Sequence, residues 1–287
     1  MSLLLQASRW FNFHFPWHQL KPSVAKRAAR LLDTSRGNAA YEGIQGSLRM
    51  RLDLAHPLER DIYLNVSNMT LVSLFRSVLK PGDVAIDGGA NLGYLSLVAW
   101  QCVGETGRVY AFEAQPKMAE RLRENVLLNA AHSIEVVPKA LWSEAGSAIL
   151  FEFDEASHDL PSLGRRPDKQ VGREISVETV RIDDVVAGPV RLCKLDIEGA
   201  EWSAMKGSQR ILFGYPPPHV VIELTPCTSE AFGHHPLQVL DWFLEHGGPR
   251  RLHLMLRRRI VTVTRENLVQ LFQRQPKKSH NVWFEPV

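Results

Sequence analysis

The sequence predicts an α/β fold: a mostly parallel sheet with helices on both faces, behind an N-terminal helical and hairpin extension. Three observations lead there. From Asp83 onward the chain repeats strand, glycine-containing turn and helix, the rhythm of a parallel sheet. Its 287 residues suit one such domain with an extension, at roughly 100–200 residues per domain. Its composition, 45% hydrophobic and 23% charged, excludes disorder, collagen and coiled coil as descriptions of the whole. The boundary falls at residue 80, so that 1–80 is the extension and 81–287 the domain.

In the extension, Trp10, Phe13, Trp17, Leu20, Val24, Ala28 and Leu31 recur every three or four residues, a helical stripe that Pro16 and Pro22 divide in two. The aromatics Trp10, Phe11, Phe13, Phe15 and Trp17 suit packing on the domain, a second subunit in a homo-oligomer, or peripheral contact with a membrane surface. Arg49–Asp53 and Asp61–Val66 alternate apolar and polar residues and predict a hairpin. Asn68 ahead of Leu71, Val72, Phe75, Val78 and Leu79 predicts a capped amphipathic helix ending at Pro81-Gly82.

In the domain, Val84–Ile86 is a buried strand, and Leu92, Leu95, Ala99 and Cys102 give the next helix its apolar face. Val109–Phe112 is a second strand, Met118, Leu122 and Val126 mark a second helix, and Ile134–Val137 is a third strand. Ala148–Phe153 and Ile175–Val180 are strand-like. They flank residues 154–174, an aperiodic stretch of the kind that forms a substrate loop or lid. Leu192–Leu195 and His219–Glu223 are further strands, Ala200–Phe213 and Leu237–Leu244 are helical, and Leu252–Met255 and Val282–Phe284 close the sheet.

Three cysteines, Cys102, Cys193 and Cys227, with no CxxC spacing, give no support to a disulfide framework or zinc knuckle. The uncharged run Gly88–Gly104 is glycine-rich and short of the roughly 20 apolar residues of a membrane span. MSLLLQASRW lacks a basic n-region and is a poor secretory signal, so a cytoplasmic location is expected. Between Arg250 and Lys278 nine Lys/Arg face one acid, Glu266, a local charge of +8 in a chain of +3. Such a run is either a solvated basic face or a greeting for an anionic partner.

The strongest local signal is Val84-Ala-Ile-Asp87-Gly88-Gly89-Ala90-Asn91-Leu92-Gly93, a G-x-G/A-x-x-G turn between a strand and a helix. Its glycines allow a tight turn and close approach of a ligand, and the free N–H groups of the helix attract an anionic group. A dinucleotide would bring a pyrophosphate, which Asp87 repels. S-adenosylmethionine would bring an ammonium, which Asp87 can pair with; otherwise Asp87 is a helix cap. Glu113, twenty residues after Gly93, ends the second strand, where an acid accepts from ribose hydroxyls, or is merely exposed. Backbone at Pro138-Lys139-Ala140-Leu141, with the N–H of Ala140, either meets an adenine ring or is a plain loop.

The second signal is Leu192-Cys-Lys194-Leu195-Asp196-Ile197-Glu198-Gly199-Ala200-Glu201. Ligands of doubly wound sheets bind beyond the carboxyl ends of the strands, so Asp196, Glu198 and Glu223 should face the crevice of Asp87. These three acids are the candidate catalytic residues, and Asp196 is also a candidate cofactor contact. No metal is assigned, although the three could hold Mg²⁺ if they converge. His158, His234 and His235 are the alternative bases.

With these residues the chain resembles the FkbM-type family of S-adenosylmethionine-dependent methyltransferases. The matching stretches are PGDVAIDGGANLGYLSL (81–97), VYAFEAQP (109–116), the asparagines of ENVLLN (Asn125 and Asn129), KALWSEAGS (139–147), VETVRIDDV (177–185), LCKLDIEGAEWSAMKGS (192–208), VVIEL (220–224) and NVWFEP (281–286), in the family's order. The resemblance implies a Rossmann-like class I methyltransferase sheet of seven strands, the last antiparallel, and O-methylation of a hydroxyl on a sugar or secondary metabolite. By motif it assigns Asp87, Gly89, Asn91 and Glu113 to the cofactor, and Asp196 and Glu198 to the reaction crevice; Gly88 and Gly93 of the same turn are further candidate cofactor contacts. The chain departs from the pattern after Glu223, where Leu224-Thr225-Pro226 replaces a glutamate with a nearby histidine.

Two rivals stand beside this reading. An NAD- or nucleotide-sugar-dependent oxidoreductase is disfavoured by Asp87 and by the lack of a Tyr-x-x-x-Lys relay. A nucleic-acid methyltransferase is motivated by the basic run, but Asp-Ile-Glu-Gly stands where an Asn/Asp-Pro-Pro-aromatic turn would grip a base, so a nucleic-acid partner is not expected.

Overall fold

The structure, a computed structural model, describes residues 3–14, 37–153, 160–166, 169–257 and 259–287. The second half of the N-terminal stripe (Trp17 to Leu31), Phe15 and His158 lie outside the described residues.

The central sheet has eight strands: β3 (Val84–Gly88), β4 (Arg108–Phe112), β5 (Ile134–Val137), β9 (Leu192–Leu195), β10 (His219–Leu224), β11 (Arg250–Leu256), β12 (Arg259–Thr262) and β13 (His280–Pro286). Their order is β12-β11-β13-β10-β9-β3-β4-β5. The five strands from β5 to β10 are parallel, and the last strand, β13, enters antiparallel between β10 and β11. Seven strands were expected. The eighth, β12, comes from the basic run, where Arg259 begins a short antiparallel partner for β11. The rest of that run continues as a helix, Arg265–Arg274.

Alternate residues of the parallel strands divide between two apolar clusters, one on each face. Ala85, Val109, Ala111, Leu192 and Val221 join the helix Tyr94–Val103. Ile86, Phe112, Cys193, Leu195 and Ile222 join Leu240, Phe243, Leu268 and Phe272 of the helices Pro236–His246 and Arg265–Arg274. This period of two explains why a sheet buried on both faces reads in sequence as unbroken apolar runs.

Ala148–Phe153 and Ile175–Val180 leave the main sheet. They lie in β7 (Gly146–Phe153) and β8 (Val171–Val180), an antiparallel pair extended by β6 (Ala140–Leu141) into a separate three-stranded sheet. Ala200–Phe213 is two short helices, Glu201–Lys206 and Gln209–Leu212.

In the extension, β1 (Asn38–Ile44) pairs with β2 (Leu48–Asp53). Asp61–Val66, expected to pair with Arg49–Asp53, instead ends the helix Pro57–Tyr63 and turns into Met69–Val78. Alternation over so few residues fits a helix turn as well as a strand. Asn68 precedes the second of these helices in a left-handed conformation and makes no side-chain cap. Ile44, Met50, Leu52, Leu71 and Phe75 join the cluster of Leu95 and Val98, so extension and domain share one core. The N-terminal helix Leu3–His14 docks there too. Arg9 stacks on the Tyr63 ring at 4.2 Å, and Asn12 Nδ2 donates to Leu64 O at 2.9 Å. Trp10 stays 56% exposed. No helix among the described residues is long and apolar enough to cross a membrane.

Candidate active site

A cleft open to solvent lies beyond the carboxyl ends of β3, β4 and β9. Its walls bring together Gly89, Asn91, Glu113, Ala140, Asp196 and Glu198, all expected at the site. Phe112, Met118, Leu141, Leu150 and Leu163 make an apolar wall. Leu160–Leu163 of the aperiodic stretch line the cleft, and Ser162 Oγ donates to Glu198 O at 2.8 Å. Residues 171–174 of that stretch are strand, and 154–159 and 167–168 lie outside the described residues.

The glycine turn is fixed by contact with the neighbouring strand end. At Gly89 (φ +74°) a Cβ would stand 1.9 Å from the backbone oxygen of Asp196, so only glycine fits. Asn91 follows in the left-handed region (φ 51°), and its N–H donates to Glu113 Oε2 at 2.8 Å. Gln115 N–H donates to Glu113 Oε1, also at 2.8 Å. Burial pushes the Glu113 carboxyl above the usual range, and these two N–H groups pull it back. Each oxygen keeps a further lone pair for a ligand hydroxyl.

Three expected cofactor contacts sit behind this surface. Gly88 ends β3 against Leu141 and Leu195, and Gly93 packs on Leu122 at the start of the helix Tyr94–Val103. Asp87 is 1% exposed and outside the cleft lining. Its Oδ2 accepts from Ser96 Oγ at 2.7 Å and its Oδ1 from Lys194 Nζ at 3.0 Å. The ammonium that Asp87 pairs with is therefore the chain's own, which corrects the expectation of a direct contact with a ligand ammonium.

Lys194 is a buried charge beside the site to which the sequence analysis assigns no role. Its Nζ also donates to Gly88 O at 3.2 Å and Gly89 O at 3.1 Å, and lies 3.6 Å from Asp196 Oδ2. Burial opposes its charge, but the Asp87 and Asp196 carboxylates outweigh it, and the pKa rises. It stitches the glycine turn to the end of β9. The signal was there: a lysine inside a fully buried strand requires an opposite charge.

Glu198 also has a left-handed backbone (φ 55°), a conformation that costs a non-glycine residue about 1–3 kcal/mol. Glu201, 2% exposed, holds it there, its Oε1 accepting from the N–H groups of Ile197 at 2.9 Å and Gly199 at 3.2 Å. Burial lifts the Glu201 carboxyl to about 7 despite these bonds. Asp196, Glu198 and Glu223 offer carboxylate oxygens within 4.8 Å of one another, but only Asp196 and Glu198 line the cleft, and Glu223, expected to face it, stands behind them. Burial, then the charges of Asp196, Glu198 and Glu201, push Glu223 well above the carboxylate range, so that its protonated carboxyl donates a hydrogen bond to Asp196. His235 is instead a helix cap, its Nδ1 accepting from Leu237 N–H at 3.2 Å. His234 packs on Trp202, ring centroids 5.2 Å apart, and neither histidine lines the cleft.

The model of a family described as the methyltransferase FkbM domain matches residues 87–248. Over 57 residues the chain is 40% identical to a 23S rRNA (uracil(1939)-C(5))-methyltransferase from Acinetobacter baylyi, a match spanning 20% of this chain and 12% of that protein. The fold is similar to the crystal structure of methyltransferase FkbM from Methylobacillus flagellatus (16% identity, TM-score 0.44, 78% of this chain and 54% of that one). It is also similar to an S-adenosylmethionine-dependent O-methyltransferase from Thermotoga maritima (14% identity, TM-score 0.44, 88% and 78%). The chain thus spans about half of the first structure and a small part of the curated relative.

Proposed function

The chain belongs to the FkbM family of S-adenosylmethionine-dependent methyltransferases, and from that premise we propose that it transfers a methyl group from this cofactor to a hydroxyl of a sugar or secondary metabolite. One observation carries the reading: a single cleft joins Glu113, aimed by two backbone N–H groups, to Asp196 and Glu198 on the opposite strand end.

The cofactor suits these residues. Glu113 would accept from both ribose hydroxyls, the bare backbone at Gly89 leaves room for the amino-acid end, and Met118, Leu141 and Leu150 would flank the purine beside Ala140. When bound, S-adenosylmethionine supplies an activated methyl on a sulfonium. The chain must then hold an acceptor oxygen about 3 Å from that carbon, in line with the sulfur bond. Asp196 orients the hydroxyl and takes its proton, Glu198 holds the acceptor, and Glu223 shares a proton with Asp196.

Calorimetry tests the cofactor half: S-adenosylhomocysteine should bind and NAD should not. Glu113→Gln should weaken that binding by about 1.5–3 kcal/mol, as expected for a lost hydrogen bond to a charged group. It should also lower stability, because its amide nitrogen would face a backbone N–H. Unchanged affinity in the folded variant removes Glu113 from the site. Transfer of labelled methyl to a panel of hydroxylated acceptors tests the other half.

A further inference from the structure

The helix Pro116–Leu128 starts at the cleft, where Gln115 and Met118 form part of the lining, and runs away beneath the hairpin. Arg121, Asn125 and Asn129 follow one another at intervals of four along one face, and all three grip the extension. Strand β2 pairs with β1 on one side only, so its outward N–H and C=O groups need other partners. The Asn129 amide supplies them as a strand would, accepting from Arg49 N–H at 2.9 Å and donating to Arg49 O at 2.7 Å. Arg121 pairs with both oxygens of Glu59, at 2.8 and 2.6 Å, and Glu59 in turn accepts from Asp53 N–H.

Asn125 differs, because it joins the extension to the glycine turn. It is fully buried, and its Oδ1 accepts from Arg51 N–H at 2.7 Å while its Nδ2 donates to Leu92 O at 2.8 Å. Leu92 belongs to the glycine turn, and the N–H of its neighbour Asn91 is one of the two that aim Glu113. We infer that Asn125 is a positioning residue for the cofactor turn, and that through it the hairpin 38–53 is a working part of the cofactor site. This role rests on the cofactor reading above. Without the Nδ2 donor, Leu92 O loses its buried partner, the turn relaxes, and Asn91 N–H drifts from Glu113.

The test uses the full chain and S-adenosylhomocysteine as probe. Asn125→Leu is compared with Leu268→Ala, a fully buried residue on the far face of the sheet. Both should lower the melting temperature. Asn125→Leu should raise the S-adenosylhomocysteine Kd about tenfold, the worth of one hydrogen bond. Leu268→Ala should change it by less than about twofold, as a distant site does. If Asn125→Leu does not fold, Asn125→Asp is measured at alkaline pH, where its ionised carboxylate still accepts from Arg51 but cannot donate to Leu92, with the same rise expected. In the wild type, the Arg51 amide should exchange more slowly once S-adenosylhomocysteine is added. An unchanged Kd in a folded Asn125 variant, or an Arg51 amide indifferent to the probe, overturns the positioning role while the cofactor reading stands. A wild type that binds no S-adenosylhomocysteine overturns both.

Discussion

The β4 wall of the cleft and the opposite wall, where Glu223 of β10 stands behind the end of β9, hold their carboxylates by opposite means. On the first, Glu113 receives two backbone N–H groups at 2.8 Å and has one geometry. On the second, three carboxyls crowd within 4.8 Å, with Glu223 pushed toward its protonated form and the Lys194 ammonium 3.6 Å from Asp196. Neutral backbone donors make a rigid acceptor that suits a ligand bound the same way each time. Crowded acids make a proton-sharing set, which suits a step in which a proton leaves a hydroxyl.

The sharpest way to break this contrast is to cut the seam between the walls. Lys194→Met strands Asp87 as a buried, uncompensated charge and should cost about 3–5 kcal/mol in chemical denaturation. Adding Asp87→Asn should recover much of it, since Ser96 can still donate to the amide oxygen. A Lys194→Met protein of wild-type stability would show that the walls are joined elsewhere.

Asp196→Asn comes next, with an expected loss of about 10²–10⁴ in kcat at saturating acceptor and little change in S-adenosylhomocysteine affinity. Glu198→Gln should act more weakly, mainly on acceptor KM. Activity unaffected by EDTA leaves the trio as base and orienting groups. Activity lost and then restored by Mg²⁺ makes them ligands. Normal turnover by Asp196→Asn ends its assignment.

A smaller effect separates the walls by pH. Glu201 titrates at about 7 in the fold against an ordinary 4.5, so the folded state binds the extra proton between these values. Its contribution is whole below pH 4.5 and disappears as pH rises through 7. The stability advantage of wild type over Glu201→Gln should therefore shrink between pH 5 and pH 8, measured as a difference because His219, lowered by burial to about 4, acts the other way. A constant difference would mean that Glu201 stays charged.

The smallest effect is expected far from both walls. Neutralising Arg257, Arg258 and Arg259 should leave cofactor affinity unchanged and stability within about 0.5 kcal/mol. Their neighbours in the run are already engaged: Arg251 with Glu285 at 3.2 Å, and Arg265 with both oxygens of Asp241. A raised acceptor KM with a flattened salt dependence would instead make the run a steering surface.

Much of this was legible. β5 and β9 were bounded to the residue, and the glycine turn, Glu113 and Asp196 were found where expected, because buried strands and tight turns write themselves locally. What stayed hidden depends on distant partners. Asp87 reads as a ligand for an external ammonium until Lys194, 107 residues on, is seen beside it. Asn125 and Asn129 read as motif letters until the hairpin lies against them. β12 was hidden for a different reason: three consecutive arginines mask a strand of four residues whose partner, β11, ends just before it.

That short strand also bears on how the molecule behaves at high concentration. It occupies one margin of the eight-stranded sheet and covers β11, whose Leu252–Met255 are buried. A bare β11 would offer a row of unpaired peptide groups beside an apolar run, a template for stacking with other copies. β12 takes up those groups and presents a four-residue margin that opens on the charge of Arg259. Short, charged margins of this kind discourage further strands from adding on. The basic segment thus gains a use that needs no binding partner: keeping the sheet from growing sideways.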